Sequence, residues 1–413
     1  MEQAAEIVPQ TLYVLMLVLI SGMLSGKIAQ KFRLPDVVFF LLIGMLVGPV
    51  LHLLNVPSDT PMNQLILVLG ATLILFDGGR LIRLETLRKV WLTVVLLSVP
   101  GVFITALIVG LAAAYFLGIP LMYALLLASI IASTDPATLI PVFKQVKIRA
   151  KVKETVESES AFNDATGSIL TFSLLAVVMG TESVSIGASI IQFLKSSVGG
   201  IATGALVSTA LVYLVGHRKV GFLRDYTTIA MIVAAIGSYY LADSLRFSGF
   251  MATFVAGLIW GNAAIFGIRM DEKAEEMDHV AENLTVIKRM LIFILLGSQV
   301  DFQAIFQYFW SGLLVILVFM FIARPITVFA CALPDRRARW TKQEMLFMCW
   351  VRETGVIPAA LSGMVVGMGV PHADAIASVT FLAILVTILL QASTTPYVAR
   401  KLGIEEVAEK AVR

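Results

Sequence analysis

The chain has 413 residues, 58% of them apolar and only 14% charged, with a mean hydropathy of +0.90. Soluble domains hold roughly 45–50% apolar and about 25% charged residues, so the composition excludes an ordinary soluble protein and points to a polytopic membrane protein. A net charge of +3 spread along the chain argues against nucleic acid as a partner, and Cys331 and Cys349, both in apolar stretches, form neither a disulfide framework nor a metal motif.

A bilayer-spanning helix needs about 20 mostly apolar residues. In chain order, thirteen segments are expected to meet that need: 9–26, 35–54, 62–79, 90–117, 119–144, 153–180, 187–215, 225–243, 248–264, 284–300, 305–333, 341–368 and 374–398. The opening MEQAAEIVPQ lacks the basic region of a cleaved signal, so the first segment is expected to be retained. With about fifteen residues after 398, no soluble regulatory domain is expected there.

The basic residues agree with this division. Of the 31 lysines and arginines, all but Arg246, Lys195, Lys288, Arg289, Arg324 and Arg352 fall in or beside the loops after odd-numbered segments, or in the tail. Basic loops stay cytoplasmic, which predicts a multi-pass protein of a plasma or inner membrane with its N-terminus outside and its C-terminus inside. Lys195, Lys288 and Arg289 are expected to snorkel toward the membrane surface, with neutralisation of acids on neighbouring helices as the alternative for Lys288 and Arg289. Trp91, Trp310 and Trp340 fall near segment ends, as in an interfacial belt. The charged stretch 271–282, DEKAEEMDHVAE, is expected to be a solvated or interfacial helix.

The sixth segment opens ESESAFNDATGS at 157–168. Each carboxylate costs roughly 2.5–3.5 kcal/mol at a helix centre in lipid, so its presence needs a reason. On a helix, Ser160 and Asp164 share a face, with Glu157 above and Ser168 below, while Glu159 and Asn163 form the adjoining stripe. A ladder of oxygens of this kind must look into a bundle or a watery cavity. In the fifth segment, Pro136 within ASTDPATLIP should break the helix beside Thr134 and Asp135, freeing carbonyl oxygens suited to a small cation. Asp135 is expected to be a structural charge at the helix N-terminus behind Pro136. In the twelfth, Gly355, Pro358 and Gly363 follow the intramembrane charges Arg352 and Glu353. Interrupted helices at matching places in two halves point to a transporter built from inverted repeats.

TDP at 134–136 followed by SAFND at 160–164, with LPDVVFFLLIGMLVGP at 34–49 and LILFDGG at 73–79, resembles the monovalent cation/proton antiporters of the NhaP/NHE type. The resemblance spans essentially the whole chain. It implies an all-α fold of thirteen transmembrane helices with inverted repeats, interrupted in segments five and twelve. It implies an interface part at about 9–79 and 225–300, a core part at about 90–180 and 305–398, a linker helix at about 187–215, and a homodimer. It implies no cofactor, the ions themselves being the cargo.

By the same resemblance, Asp164 is the carboxylate that holds cation and proton, Asn163 and Thr134 hold the crossing helices together, and Ser160 with the Thr134–Asp135 backbone supplies further cation ligands. Glu159 and Arg352 form an ion pair in the core, Arg324 is the basic residue of the eleventh helix, and Asp77 lines the ion passage. Asp77 is the shorter acid where many sodium-transporting relatives have Glu, and FDGG resembles the potassium/proton branch as well. Cation and proton compete for one carboxylate, and Asn163 beside it in place of a second acid implies electroneutral one-for-one exchange of Na⁺ or Li⁺, with K⁺ as the alternative. Two other classes compete: an intramembrane aspartyl protease using Asp135 and Asp164 as its dyad, and a cation channel. No Gly-x-Gly-Asp sequence and no TVGYG-type filter occurs, so a transporter rather than an enzyme is expected.

Overall fold

The computed structural model describes residues 2–32, 35–57, 60–134, 143, 146–180, 186–217, 221–268 and 274–405. It is built of helices: α1 Glu2–Phe32, α2 Asp36–Met45, α3 Pro61–Leu81, α4 Leu84–Ser98, α5 Pro100–Leu117, α6 Leu121–Ile131, α7 Ala150–Val178, α8 Ile186–Gly216, α9 Thr227–Ser244, α10 Gly249–Gly261 and α11 Ala274–Ser298. Then follow α12 Phe302–Val318, α13 Arg324–Ala332, α14 Lys342–Trp350, α15 Val356–Gly367, α16 Ala373–Val386 and α17 Ser393–Leu402. Helix occurs within every one of the thirteen expected segments. Among the described residues, 7 helices are long and apolar enough on their own to cross a membrane. The charged stretch before segment ten is helical from Ala274 and continues into it as α11.

Prolines shape the segments more than the apolar pattern alone foretells. Pro100 divides the fourth segment into α4 and α5. Pro325 and Pro396 lack an amide and push away the carbonyl four residues back. The helix answers with a wider π-type turn just upstream of each, at Phe319–Ala323 and Thr387–Ala392. Segment twelve is fully interrupted: α14 begins with a Thr341/Glu344 capping box, ends at Trp350, and α15 restarts at Val356. Segment five leaves helix at Ile131, short of Pro136; that proline and Asp135 lie outside the described residues.

The helices pack as two groups. The first joins α1, α2, α3, α8, α9, α10 and α11, with α3 against α10 and α2 against α11 as its main seams. The second joins α4 to α7 with α12 to α17. They meet where α7 lies against α3 and α10, and where α15 lies against α3 and α11. An edge-to-face pair of Phe162 on α7 and Phe254 on α10, with ring centres 4.6 Å apart, sits on this boundary.

Candidate ion site

The oxygen ladder of α7 is buried in the protein. Asp164 is 2% exposed, and Ser160, Asn163 and Glu159 are equally enclosed. Where α6 unwinds, Thr134 meets this ladder. Its backbone amide donates to Asn163 Oδ1 at 3.0 Å, and Asn163 Nδ2 donates back to Thr134 Oγ1 at 2.9 Å. The Thr134 hydroxyl in turn donates to Ser160 Oγ at 2.9 Å. One turn away, the hydroxyls of Ser129 and Thr171 join the same two helices at 2.9 Å. These cross-helix hydrogen bonds fix the unwound end of α6 against the α7 stretch that carries Asp164. The arrangement concentrates hard oxygens around one enclosed carboxylate, which suits either a small cation or a proton.

The charges beneath this site are organised by two broken helices. Arg324, held at the end of the first π-type turn, forms a bidentate pair with Glu159; its Nη2 reaches Oε2 at 2.9 Å while Nη1 bonds Oε1. Its Nε donates to the carbonyl of Met348 at 2.9 Å, and Nη2 also reaches that of Val351 at 3.5 Å. Arg352 stands farther off, 4.0 Å from Glu159, and donates to the carbonyl of Ala132 at the end of α6. The close partner of Glu159 is therefore Arg324, and Arg352, expected in that role, is the outer member of a triad. The physical reason lies in the helix ends. The last carbonyls of α6 and α14 have no intrahelical donors and carry partial negative charge, so each attracts a guanidinium. Glu159 supplies the full negative charge that lets two arginines stay buried together.

The break in segment twelve draws on the last segment for the rest of its hydrogen bonds. The amide of Thr354 donates to Thr387 Oγ1 at 3.1 Å, and Gln391 Nε2 donates to the carbonyl of Trp350 at 2.7 Å. Both acceptor and donor belong to the second π-type turn. These supporting residues were missed from sequence, though polar groups in the run VTILLQASTT were a signal, since polar atoms in an apolar span need partners.

Asp77 lies on α3, which packs against α7, and its Oδ1 accepts from Arg80 of the same helix at 2.9 Å. Lys288 and Arg289 do not snorkel: both are 7% exposed, and Arg289 pairs with Asp36 at 3.1 Å. Trp340 is half-buried against the protein. Its Nε1 donates to Thr93 Oγ1 at 2.9 Å, and Lys151 sits over its ring while pairing with Glu344 at 2.7 Å. Trp91 and Trp310 remain exposed. A cavity of about 210 Å³ opens between α7, α8, α9 and α10, and Ser168, which donates to the backbone carbonyl of Asp164 at 2.7 Å, is among its lining residues.

A helical membrane bundle whose interrupted helices converge on an enclosed carboxylate belongs to the class of ion-coupled secondary transporters. The family model described as sodium/hydrogen exchanger, transmembrane, matches residues 15–401, and the chain belongs to that family. It is 31% identical to Na(+)/H(+) antiporter 1 of Methanocaldococcus jannaschii, over 94% of each chain. It is 28% identical to the K(+)/H(+) antiporter NhaP of Alkalimonas amylolytica, over 97% of this chain and 68% of that one. The solved structure of the sodium proton antiporter MjNhaP1 from M. jannaschii at pH 8 superposes with a TM-score of 0.83 at 29% identity, covering 96% and 99% of the two chains.

Proposed function

We propose that this chain exchanges a monovalent cation for protons across the membrane, one for one, by alternating access around Asp164. The observation that carries the reading is the enclosure of that carboxylate one residue from the Thr134–Asn163–Ser160 seam that clamps two helices together. A carboxylate out of water is disfavoured as a bare anion, so it crosses the membrane loaded with either a proton or a cation. With Asn163 as its neighbour, one titrating group trades one charge for one, and exchange is electroneutral. Ser160, Thr134 and Asp135 are the further ligands of this proposal, Asp77 lines the approach, and the Glu159, Arg324 and Arg352 triad holds the half-helices in place.

Thirteen crossings in inverted repeats follow from the same reading. The second helix group is then the moving core, α8 the linker helix, and the rest of the first group the interface part, through which a homodimer forms. The basic loops put the N-terminus outside and the C-terminus in the cytoplasm. Na⁺ or Li⁺ is the first-choice cargo. K⁺ is the second reading, favoured by the alignment with a relative named as a K(+)/H(+) antiporter.

The test is reconstitution in liposomes that contain a pH-sensitive dye, with an acid interior and Na⁺, Li⁺, K⁺ or choline added outside in turn. Proton efflux with a metal cation but not with choline, at a rate indifferent to a clamped membrane voltage, is the expected result. Protons that move with no cation, or a rate that follows voltage, would defeat it.

A further inference from the structure

Asp77 occupies an unusual place for an acid, in the last turns of α3, where the helix end already carries negative partial charge. Carboxylate and helix end together attract a cation, and a cation is already there. Arg80 donates through both Nε and Nη2 to Oδ1 of Asp77, at 3.0 and 2.9 Å. The two side chains are only 13% and 18% exposed, so water screens the pair less than it would at a surface. Lys288 of α11, itself buried, lies within electrostatic reach of both. The backbone beneath them is fixed: a Cβ on Gly257 or Gly261 of α10 would collide with the carbonyl oxygens of Phe76 and Arg80. The end of α3 is therefore packed backbone to backbone on α10, and opening of this pair is assigned to the side chains.

We propose that Arg80 is a tethered counter-cation, a positioning residue that occupies Asp77 until a transported cation displaces it. This rests on the antiport reading and on Asp77 lying along the path. A path must bind its ion well enough to admit it and weakly enough to release it. An isolated Asp77 beside a negative helix end would hold a cation too well. A guanidinium on a flexible stem steps aside and returns, which weakens that intermediate stop and passes the ion on toward Asp164.

The experiment titrates the transported cation against proton movement in the reconstituted full chain, on the face that carries Arg80, for the parent, Arg80→Gln, Arg80→Lys, Asp77→Asn and the double variant Asp77→Asn/Arg80→Gln. Arg80→Gln should lower the half-saturating cation concentration roughly three- to tenfold, the scale of one modest ion pair. Arg80→Lys should stay close to the parent. Asp77→Asn should raise the half-saturating concentration. In the Asp77→Asn background, removing Arg80 should not reproduce the gain, a readout that a merely structural role would not give. An assembled Arg80→Gln protein with an unchanged or raised half-saturating concentration would overturn the inference while leaving antiport intact. Where Arg80→Gln fails to assemble, Asp77→Asn decides: a parental concentration dependence there also overturns it. No exchange by the parent would bring down both readings.

Discussion

The two helix groups are held together by different means. In the first, backbones meet directly. Gly44 of α2 lies against the backbone of Gly297 in α11, and Gly257 and Gly261 of α10 lie against α3, with no room for a side chain at any of them. In the second, helices are joined through buried polar side chains: Thr134 with Asn163, Ser129 with Thr171, Thr105 with Thr327, and Glu159 with Arg324. Lipid removes the hydrophobic drive between helices, which leaves close packing and hydrogen bonding as the two available adhesives. The first stiffens a wall, and the charges it holds, Asp36 with Arg289 and Asp77 with Arg80, are paired within it. The second sets charge and hydroxyls inside the bundle, and the cost is that buried polar groups need partners.

That difference can be broken from either side. The largest loss should follow Glu159→Gln, which leaves Arg324 and Arg352 buried without their anion. A drop of about 3–5 kcal/mol in stability is expected, read as a sharply lower unfolding temperature in detergent. A variant as stable as the parent would remove Glu159 from its central position. Gly261→Val should come next, at about 1–3 kcal/mol, because the side chain strikes the Arg80 backbone and forces α3 off α10. Thermal unfolding measures this as well, and an unshifted transition would show that the wall yields. Thr134→Val keeps the volume but removes the hydroxyl that links Asn163 and Ser160, for about 1–2 kcal/mol, and it should slow exchange more than it lowers the unfolding temperature. Arg400→Ala sets the floor. Its pair with Glu405 is 3.9 Å long and exposed, so a change of less than about 0.5 kcal/mol is expected in the same melt.

Much of the second group was legible because lipid makes its residues conspicuous. Asp164, Asn163 and Ser160 stand out in an apolar run, and the interruption after Arg352 could be read from Gly355 and Pro358. The partner of Glu159 was not legible in the same way. Two arginines were available, and the choice depends on which helix end each guanidinium caps, a matter of three-dimensional placement rather than spacing. The turns before Pro325 and Pro396 were in plain view as prolines, but their value lies in aiming Arg324 and Thr387, which no local pattern states. For Lys288 and Arg289 the sequence left two outcomes open, reaching water or neutralising an acid of a neighbouring helix, and the acids Asp36 and Asp77 on α2 and α3 decide for the second. The first group was legible as helices but not as a wall, since glycine contacts are made between chain segments far apart in sequence.

The most direct test of the account compares Asp164→Asn with the parent in the same proteoliposomes, with cation-driven proton movement measured at matched protein incorporation. The substitution keeps the size of the side chain and removes the carboxylate for which cation and proton are proposed to compete. Complete loss of exchange in a protein that melts at or above the parental temperature is the predicted result. Exchange at the parental rate would contradict the account and return Asp164 to the helix seam as one more structural polar group.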